Sequence, residues 1–433
     1  MTDVPLDGTP EETPEEPKLG GVARVLAALG PGLVTGAADD DPSGIATYSQ
    51  IGAQFGYAMG WTMVLTFPLM AAIQEIAARI GCTTGHGIAA NLRNHYPRWL
   101  LDVLVLSLLV ANIANLGADI AAMGDAARLL IGGSMQVWMV GIAAASVLAE
   151  MYLSYRRYAA LLKWLTLALF AYIAAVIVAH ADWSAALSGA FIPRLAGTRA
   201  AMVGLVAVLG TTISPYLFFW QSSQEVEELG RRHHKPLYVA PRTAGRELRR
   251  IRVDTLVGMF WSNVVAIFII WATAATLYAH GIRNIASAAE AARALAPIAG
   301  KFASIVFALG IIGTGLLALP VLAGSASYAV CETFRWNTGL DRKPRQARAF
   351  YGVIAGAMLL GIGLAFSPID PMKALFWCAV INGVLAAPLM AIMLVIGSNP
   401  KIMEEFTLPP VLKTIGWIAT AMMGAAAVGL FVT

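Results

Sequence analysis

The sequence predicts an all-α polytopic membrane protein built as two inverted halves of five helices plus an eleventh helix, with the first and sixth helices broken. Three observations predict it. Hydrophobic residues make up 58% of the 433 and charged ones 13%, about half the charge a soluble surface carries. The apolar residues fall into eleven segments, each near the roughly 20 residues that a helix needs to cross a bilayer. Two of these segments, five spans apart, carry a proline in mid-span: Pro42 and Pro215.

In chain order, residues 1–18 come first. They are rich in Pro and Thr and hold six acids, Asp3, Asp7, Glu11, Glu12, Glu15 and Glu16. With almost nothing apolar to bury, they read as a disordered acidic tail. The basic start and apolar core of a signal peptide are missing, so the N-terminus is expected to stay on the cytoplasmic side. The spans follow at about 22–52, 57–78, 99–127, 135–154, 158–180, 200–228, 253–280, 302–333, 349–367, 373–397 and 411–432. This divides the chain into the tail, a first five-helix repeat at 19–198, a second at 199–400 and an eleventh helix at 401–433. An odd number of spans puts the termini on opposite sides.

Lys and Arg orient the bundle. With the N-terminus inside, 23 of the 30 Lys and Arg fall on inside segments and 7 on outside ones. The basic runs, such as Arg249-Arg250-Ile251-Arg252, are therefore topology signals. They account for the net charge of +4 and the pI of 8.9 without a nucleic-acid partner. The C-terminus is expected outside. A short chain with no targeting segment suits a bacterial inner membrane. Cys82, Cys331 and Cys378 are far apart and apolar in setting, so they suggest neither disulfides nor a metal site.

The first span holds Gly30-Pro31-Gly32 and then Ala38-Asp39-Asp40-Asp41-Pro42-Ser43-Gly44. A single Asp at the centre of a lipid-facing helix costs about 2.5–3.5 kcal/mol on the insertion scale. Three in a row demand a helix that unwinds against a cavity, and Pro42 cannot continue the hydrogen-bond ladder. The sixth span repeats the device in Gly210-Thr211-Thr212-Ile213-Ser214-Pro215-Tyr216. Interrupted helices at matching positions of two halves mark a transporter site. Five spans per half is an odd number, so the halves must be inverted.

These stretches carry a resemblance to the Nramp family of divalent-metal transporters. Gly30-Pro31-Gly32, Asp41-Pro42-Ser43-Gly44, Gln54, Gly56-Tyr57, Ala78-Arg79-Ile80-Gly81, Thr84-Gly85 and Ala118-Asp119-Ile120-Ala121 carry its first half. Thr211 to Pro215, Asn263, Leu322-Ala323-Gly324, Pro388-Leu389-Met390, Ser398-Asn399 and Ile402-Met403 carry its second. The resemblance spans about residues 22–405. It implies the LeuT-type inverted-repeat fold, with a metal held between the first and sixth helices.

The departures matter as much. The family's first-helix motif is Asp-Pro-Gly-Asn, whose Asp and Asn bind metal; here Asp41 is kept and Gly44 replaces the Asn. The family's Met-Pro-His in the sixth helix becomes Ser214-Pro215-Tyr216, which removes a thioether and an imidazole. The acid one turn after the third-helix Asp becomes Ala122, and the ninth span has no Arg in its middle. Those positions belong to the family's proton route. The chain thus resembles the divergent, magnesium-transporting branch.

Replacing a thioether by a hydroxyl turns a soft ligand set hard, which suits Mg²⁺ and Mn²⁺. Mg²⁺ sheds water reluctantly and favours a roomy site lined by oxygen. The metal-site candidates are Asp41, Gly44, Thr211 and Ser214. Pathway candidates are Asp39, Asp40, Glu75, Asp119, Tyr216, Gln221, Glu225, Asn263 and Asn382. Ser214, Phe218, Gln221 and Glu225 share one helical face. No cofactor is implied, and the partners expected are the cation and the bilayer. No protein partner is evident.

The expected activity is import of Mg²⁺, and also Mn²⁺, by alternating access without obligatory proton coupling. The alternatives are a proton-coupled Mn²⁺/Fe²⁺ symporter and a carrier of small cationic organic substrates on the same fold. Enzyme classes find little support. There is no His-Glu-x-x-His, and Gly117-Ala118-Asp119 is not the Gly-x-Gly-Asp of an intramembrane aspartyl protease.

Overall fold

The computed structural model describes residues 30–152, 167–285, 287–296, 300 and 303–432. The acidic tail 1–18 and the start of the fifth expected span lie outside them.

Helix breaks organise the bundle. α1 (Pro31–Asp39) ends before Asp40, and α2 (Pro42–Phe55) starts after Asp41. α3 (Trp61–Thr84), a short α4 (Ile88–His95), α5 (Arg98–Ile131) and α6 (Met135–Tyr152) follow. Described pieces of the fifth span and the connection after it are α7 (Ala171–Val178) and α8 (Trp183–Phe191). The second half opens with α9 (Arg199–Thr212) and α10 (Pro215–Arg231). α11 (Ala244–Thr273), the short α12 (Ala288–Ala292), α13 (Ala303–Phe334), α14 (Arg348–Ala365) and α15 (Pro371–Gly397) complete it. One turn, α16 (Pro400–Met403), leads to α17 (Pro410–Val432).

Among the described residues nine helical stretches are long and apolar enough to span a membrane. The first and fifth expected spans are not among the nine; they are described only in part, the first as helices of 9 and 14 residues, whereas the sixth counts as one stretch across its break, Arg199–Arg231. Pro42 and Pro215 both stand in the first turn of the second half-helix. That is the one helical position where a missing N–H and a fixed φ cost nothing. The proline therefore starts the new helix, and the residues before it supply the unwound backbone.

The seventh span starts earlier than its hydropathy suggests, at Ala244 rather than 253. The added turns hold Arg246, Glu247, Arg249, Arg250 and Arg252. A helix does not stop at the membrane surface, so hydropathy reports only its apolar part. Likewise α5 and α13, with 34 and 32 residues, run to about 50 Å at 1.5 Å per residue. They exceed the hydrocarbon core and must tilt or protrude.

Glycines let the broken helix approach its neighbours. A Cβ on Gly36 of α1 would lie 2.3 Å from the Gly258 carbonyl of α11, and one on Gly258 would lie 2.2 Å from the Gly32 carbonyl. Only hydrogen fits on either side, so α1 and α11 touch backbone to backbone. Gly81 of α3 packs on Ser222 of α10 in the same way, at 2.1 Å.

Candidate functional site

The two breaks meet. Asp41 caps α2, its Oδ1 accepting the Gly44 N–H at 2.7 Å. Its Oδ2 accepts the Tyr216 hydroxyl at 3.1 Å and an Asn115 amide proton at 3.2 Å. Tyr216 is the second residue of α10, so each helix break presents its first turn to the other. The Tyr216 hydroxyl also stands 3.2 Å from the Ala38 carbonyl at the end of α1. Asn115 Nδ2 is 3.4 Å from Asp119 Oδ2 as well. One amide on α5 therefore joins the two carboxylates.

Asp39 and Asp40 point to α11. Ser262 Oγ stands 2.6 Å from Asp39 Oδ2 and 3.2 Å from Asp40 Oδ1. One hydroxyl proton cannot serve both acceptors, so the second contact needs a proton or a cation of its own. All four acids, Asp39, Asp40, Asp41 and Asp119, are buried. Asp39 Oδ1, Asp119 Oδ1 and Asn115 Oδ1 have no hydrogen-bond partner among the described residues. Buried charges are paired or coordinate a metal, and these oxygens are acceptors still without a partner.

Thr211 closes the other wall. A Cβ on Gly44 would lie 3.4 Å from Thr211 Oγ1, 3.4 Å from the Tyr48 ring and 3.2 Å from the Asp39 carbonyl. Position 44 therefore faces the site and is closely packed, and its lack of a side chain removes a ligand rather than opening a void. Ser214 Oγ donates to the Gly210 and Thr211 carbonyls, at 2.8 and 3.0 Å. Its proton is spent on the unwound backbone, and only its lone pairs remain for a ligand. Among the described residues no three His, Cys, Asp or Glu side chains converge as a protein-only metal cage. A cation held here takes carboxylate, carbonyl, hydroxyl, amide oxygen and water.

Several candidates sit elsewhere. Asn263 reaches from α11 toward Thr66 Oγ1 at 3.5 Å and Met70 Sδ at 3.7 Å; it joins α11 to α3 and leaves the acids to its neighbour Ser262. Glu75 is held by Arg79 at 2.7 Å and Arg252 at 3.4 Å, far along α3 from the breaks. Glu225 is fully buried against Arg250 at 2.5 Å rather than at an open mouth, and Glu247 holds the same guanidinium at 2.9 Å. Gln221 joins Thr35 of α1 to Glu225. Asn382 is buried on α15.

These pairs seal one end of the bundle. Asp254 of α11 completes the seal by accepting the N–H groups of Gly30, Gly32 and Leu33 at 2.8, 2.7 and 3.1 Å. It caps α1 from outside the helix. At the opposite end a cavity of about 690 Å³ opens between α2, α9 and α15, lined by Gln50, Gln54, Arg199, Asn284, Lys373 and Trp377, and it reaches Ala46. Ala46 is five residues past Asp41, about 7–8 Å along the helix. The α1–α10 end is closed by these bonds, and the cavity at the other end stops short of the acids, which remain buried.

Asn115, Ser262, Tyr48 and Asp254 were not singled out in the sequence. Nothing local marks them; they matter because of what they face across other helices.

Comparisons with known proteins agree with this geometry. The family model described as "Natural resistance-associated macrophage protein-like", Nramp, matches residues 32–433. A protein named divalent metal cation transporter MntH from Klebsiella pneumoniae strain 342 is 26% identical over 407 residues, covering 92% of each chain. A relative of the same name from Deinococcus radiodurans is 26% identical over 345 residues, covering 78% of this chain and 76% of its own. Among solved structures, a manganese transporter of Eremococcus coleocola superposes with a TM-score of 0.74 at 17% identity, over 95% of this chain and 88% of that one. A Na⁺-coupled sialic acid symporter superposes at 0.55 with 12% identity, over 93% and 89%. Such distant structures establish the LeuT-type fold, while the family match over nearly the whole chain establishes descent: the chain belongs to the Nramp family of membrane transporters, and is not an enzyme.

Proposed function

We propose that this transporter moves hard divalent cations by alternating access, Mg²⁺ ahead of Mn²⁺, into the cytoplasm and without obligatory H⁺ movement. The observation that carries the reading is the Asp41 carboxylate, held where two helix breaks meet and contacted by a phenol, an amide and a backbone N–H, with the Ser43 hydroxyl as a further partner. Ligands of this kind select Mg²⁺ or Mn²⁺ over softer ions. With Gly at position 44 no side-chain amide competes for the ion, which suits Mg²⁺ that keeps part of its water.

The ion enters through the cavity above Ala46 and replaces the Tyr216 and Asn115 contacts on Asp41 Oδ2. Thr211, the Ser214 lone pairs and the Ala38 carbonyl complete the shell through water. Asp39 and Asp40 add negative potential beside it. Release follows when α1 leaves α11 and α10, which breaks the Asp254 cap and the Thr35–Gln221 bond.

Proton coupling needs a titratable chain leading away from the site. Ala122 cannot titrate, Asp125 is tied to Arg128 at 2.5 Å, and α14 has no ionisable group beyond Arg348 and Tyr351. A potential of ~100 mV supplies about 4.6 kcal/mol to a divalent cation, at ~2.3 kcal/mol per charge. That corresponds to roughly a thousandfold accumulation. A second reading, proton-coupled Mn²⁺ symport, draws on the Asn115 bridge between Asp41 and Asp119.

Liposomes loaded with a pH dye, clamped with valinomycin and K⁺ and given Mg²⁺ or Mn²⁺ test both. Uptake with unchanged internal pH is expected. Acidification that scales with metal influx refutes the uncoupled reading.

A further inference from the structure

At the sealed end of the bundle, the connection between α13 and α14 carries Arg335, Arg342, Lys343, Arg345 and Arg348 against one acid, Asp341. Arg231 of α10 holds that acid at 3.0 Å, so the connection keeps its surplus positive charge. Topology alone requires basic residues on this side. It does not require them to line one surface hollow, and here two do. Arg335 and Arg348 line a hollow of about 300 Å³ with Trp336, Asn337 and Gln346. A second hollow of about 500 Å³ shares Asn337 and Gln346 and adds Arg342. Among the described residues none of the three arginines has a carboxylate within ion-pair distance.

The frame around the hollow is rigid. Asn337 Nδ2 donates to the Gln346 carbonyl at 3.2 Å, and the Lys343 N–H to Gln346 Oε1 at 3.1 Å. Leu340 N–H binds Glu227 of α10 at 2.8 Å, and the Tyr351 hydroxyl binds the Arg342 carbonyl at 3.0 Å. Arg335 adopts a left-handed φ of 58° directly after α13. The start of α14 forms the floor, and Ala347 before it offers no side-chain cap.

Planar guanidinium groups over free N–H donors recognise one chemistry best, the phosphate oxyanion. Beside the hollow, Phe334 stacks on Trp336 with ring centroids 5.0 Å apart. Both are about half exposed and follow the end of a helix long and apolar enough to span a membrane, where aromatic side chains favour the interface. We propose that this cavity binds the phosphate of an anionic phospholipid, with Arg335 and Arg348 as its principal contacts.

The test uses full-length protein purified in detergent. It is mixed with phosphatidylglycerol or phosphatidylcholine, and retained lipid is counted by native mass spectrometry. Arg335→Gln with Arg348→Gln removes two charges from the cavity. Lys343→Gln with Arg345→Gln removes two from the same connection outside it. Each basic residue near an anionic headgroup contributes a factor of about five, so the cavity pair should lower phosphatidylglycerol retention about thirtyfold. The outer pair should leave it nearly unchanged. Equal loss in both variants, or loss in neither, overturns the site. Melting curves show whether each variant is folded, and single Arg348→Gln replaces any double variant that is not. Displacement of the lipid by excess inorganic phosphate, with no preference for phosphatidylglycerol, overturns the lipid assignment.

Discussion

Asp254→Ala should release the closed end of the transporter. The carboxylate accepts three N–H groups from Gly30, Gly32 and Leu33, at 2.7–3.1 Å. These are the first donors of α1, which no intrahelical carbonyl can satisfy. Losing an N-cap costs about 0.5–2 kcal/mol. A charged acceptor serving three donors belongs at the top of that range, since water reaches the freed N–H groups and offsets the rest. About 2 kcal/mol shifts a two-state equilibrium roughly thirtyfold. The cap exists only while α1 lies against α11, so the whole shift should favour the state in which α1 has moved away. The reporter is Ala38→Cys, fully buried in this state, in a chain whose three buried native cysteines are replaced. N-ethylmaleimide, which crosses the membrane, should label it about thirtyfold faster in the Asp254→Ala background. Asp254→Asn keeps an acceptor and should fall between. A labelling rate within about twofold of the parent would mean that Asp254 does not hold α1.

Asp41→Ala should abolish divalent uptake in a chain that still folds, because removing a buried carboxylate relieves its desolvation and offsets the lost Gly44 cap, about 1 kcal/mol, and the freed Tyr216 and Asn115 donors; wild-type transport would remove Asp41 from the ligand set. Gly44→Asn with Ser214→Met should shift preference from Mg²⁺ toward Mn²⁺ and Cd²⁺, since Asn adds a side-chain ligand beside Thr211 and Met adds a soft sulfur. Selectivity unchanged in competition uptake would place the ligands elsewhere. Gly36→Ala puts a methyl 2.3 Å from the Gly258 carbonyl, an overpacking cost of about 1–3 kcal/mol, and should speed Ala38→Cys labelling as Asp254→Ala does. Protection equal to the parent would show that α1 and α11 separate more readily than their contact implies.

The sequence alone determined the features that are local in the chain. Apolar length sets the spans, proline sets where a half-helix restarts, and an acid in an apolar span marks a cavity, because each is a cost that a single segment must resolve within itself. Asp41 could be picked out that way. What faces Asp41 could not. Asn115 and Tyr216 reach it from α5 and α10, and their choice depends on how helices rotate and pack. The same holds for Ser262 and Asn263, adjacent in sequence and both polar. The helix turns one toward the acids of the first break and the other toward Thr66, since neighbouring residues on a helix point about 100° apart. Glu75 and Glu225 stand in the sequence as pathway candidates; folding brings Arg252 and Arg250 against them. The tertiary structure made that decision, because a buried carboxylate takes its meaning from the charge beside it, and that charge comes from another helix.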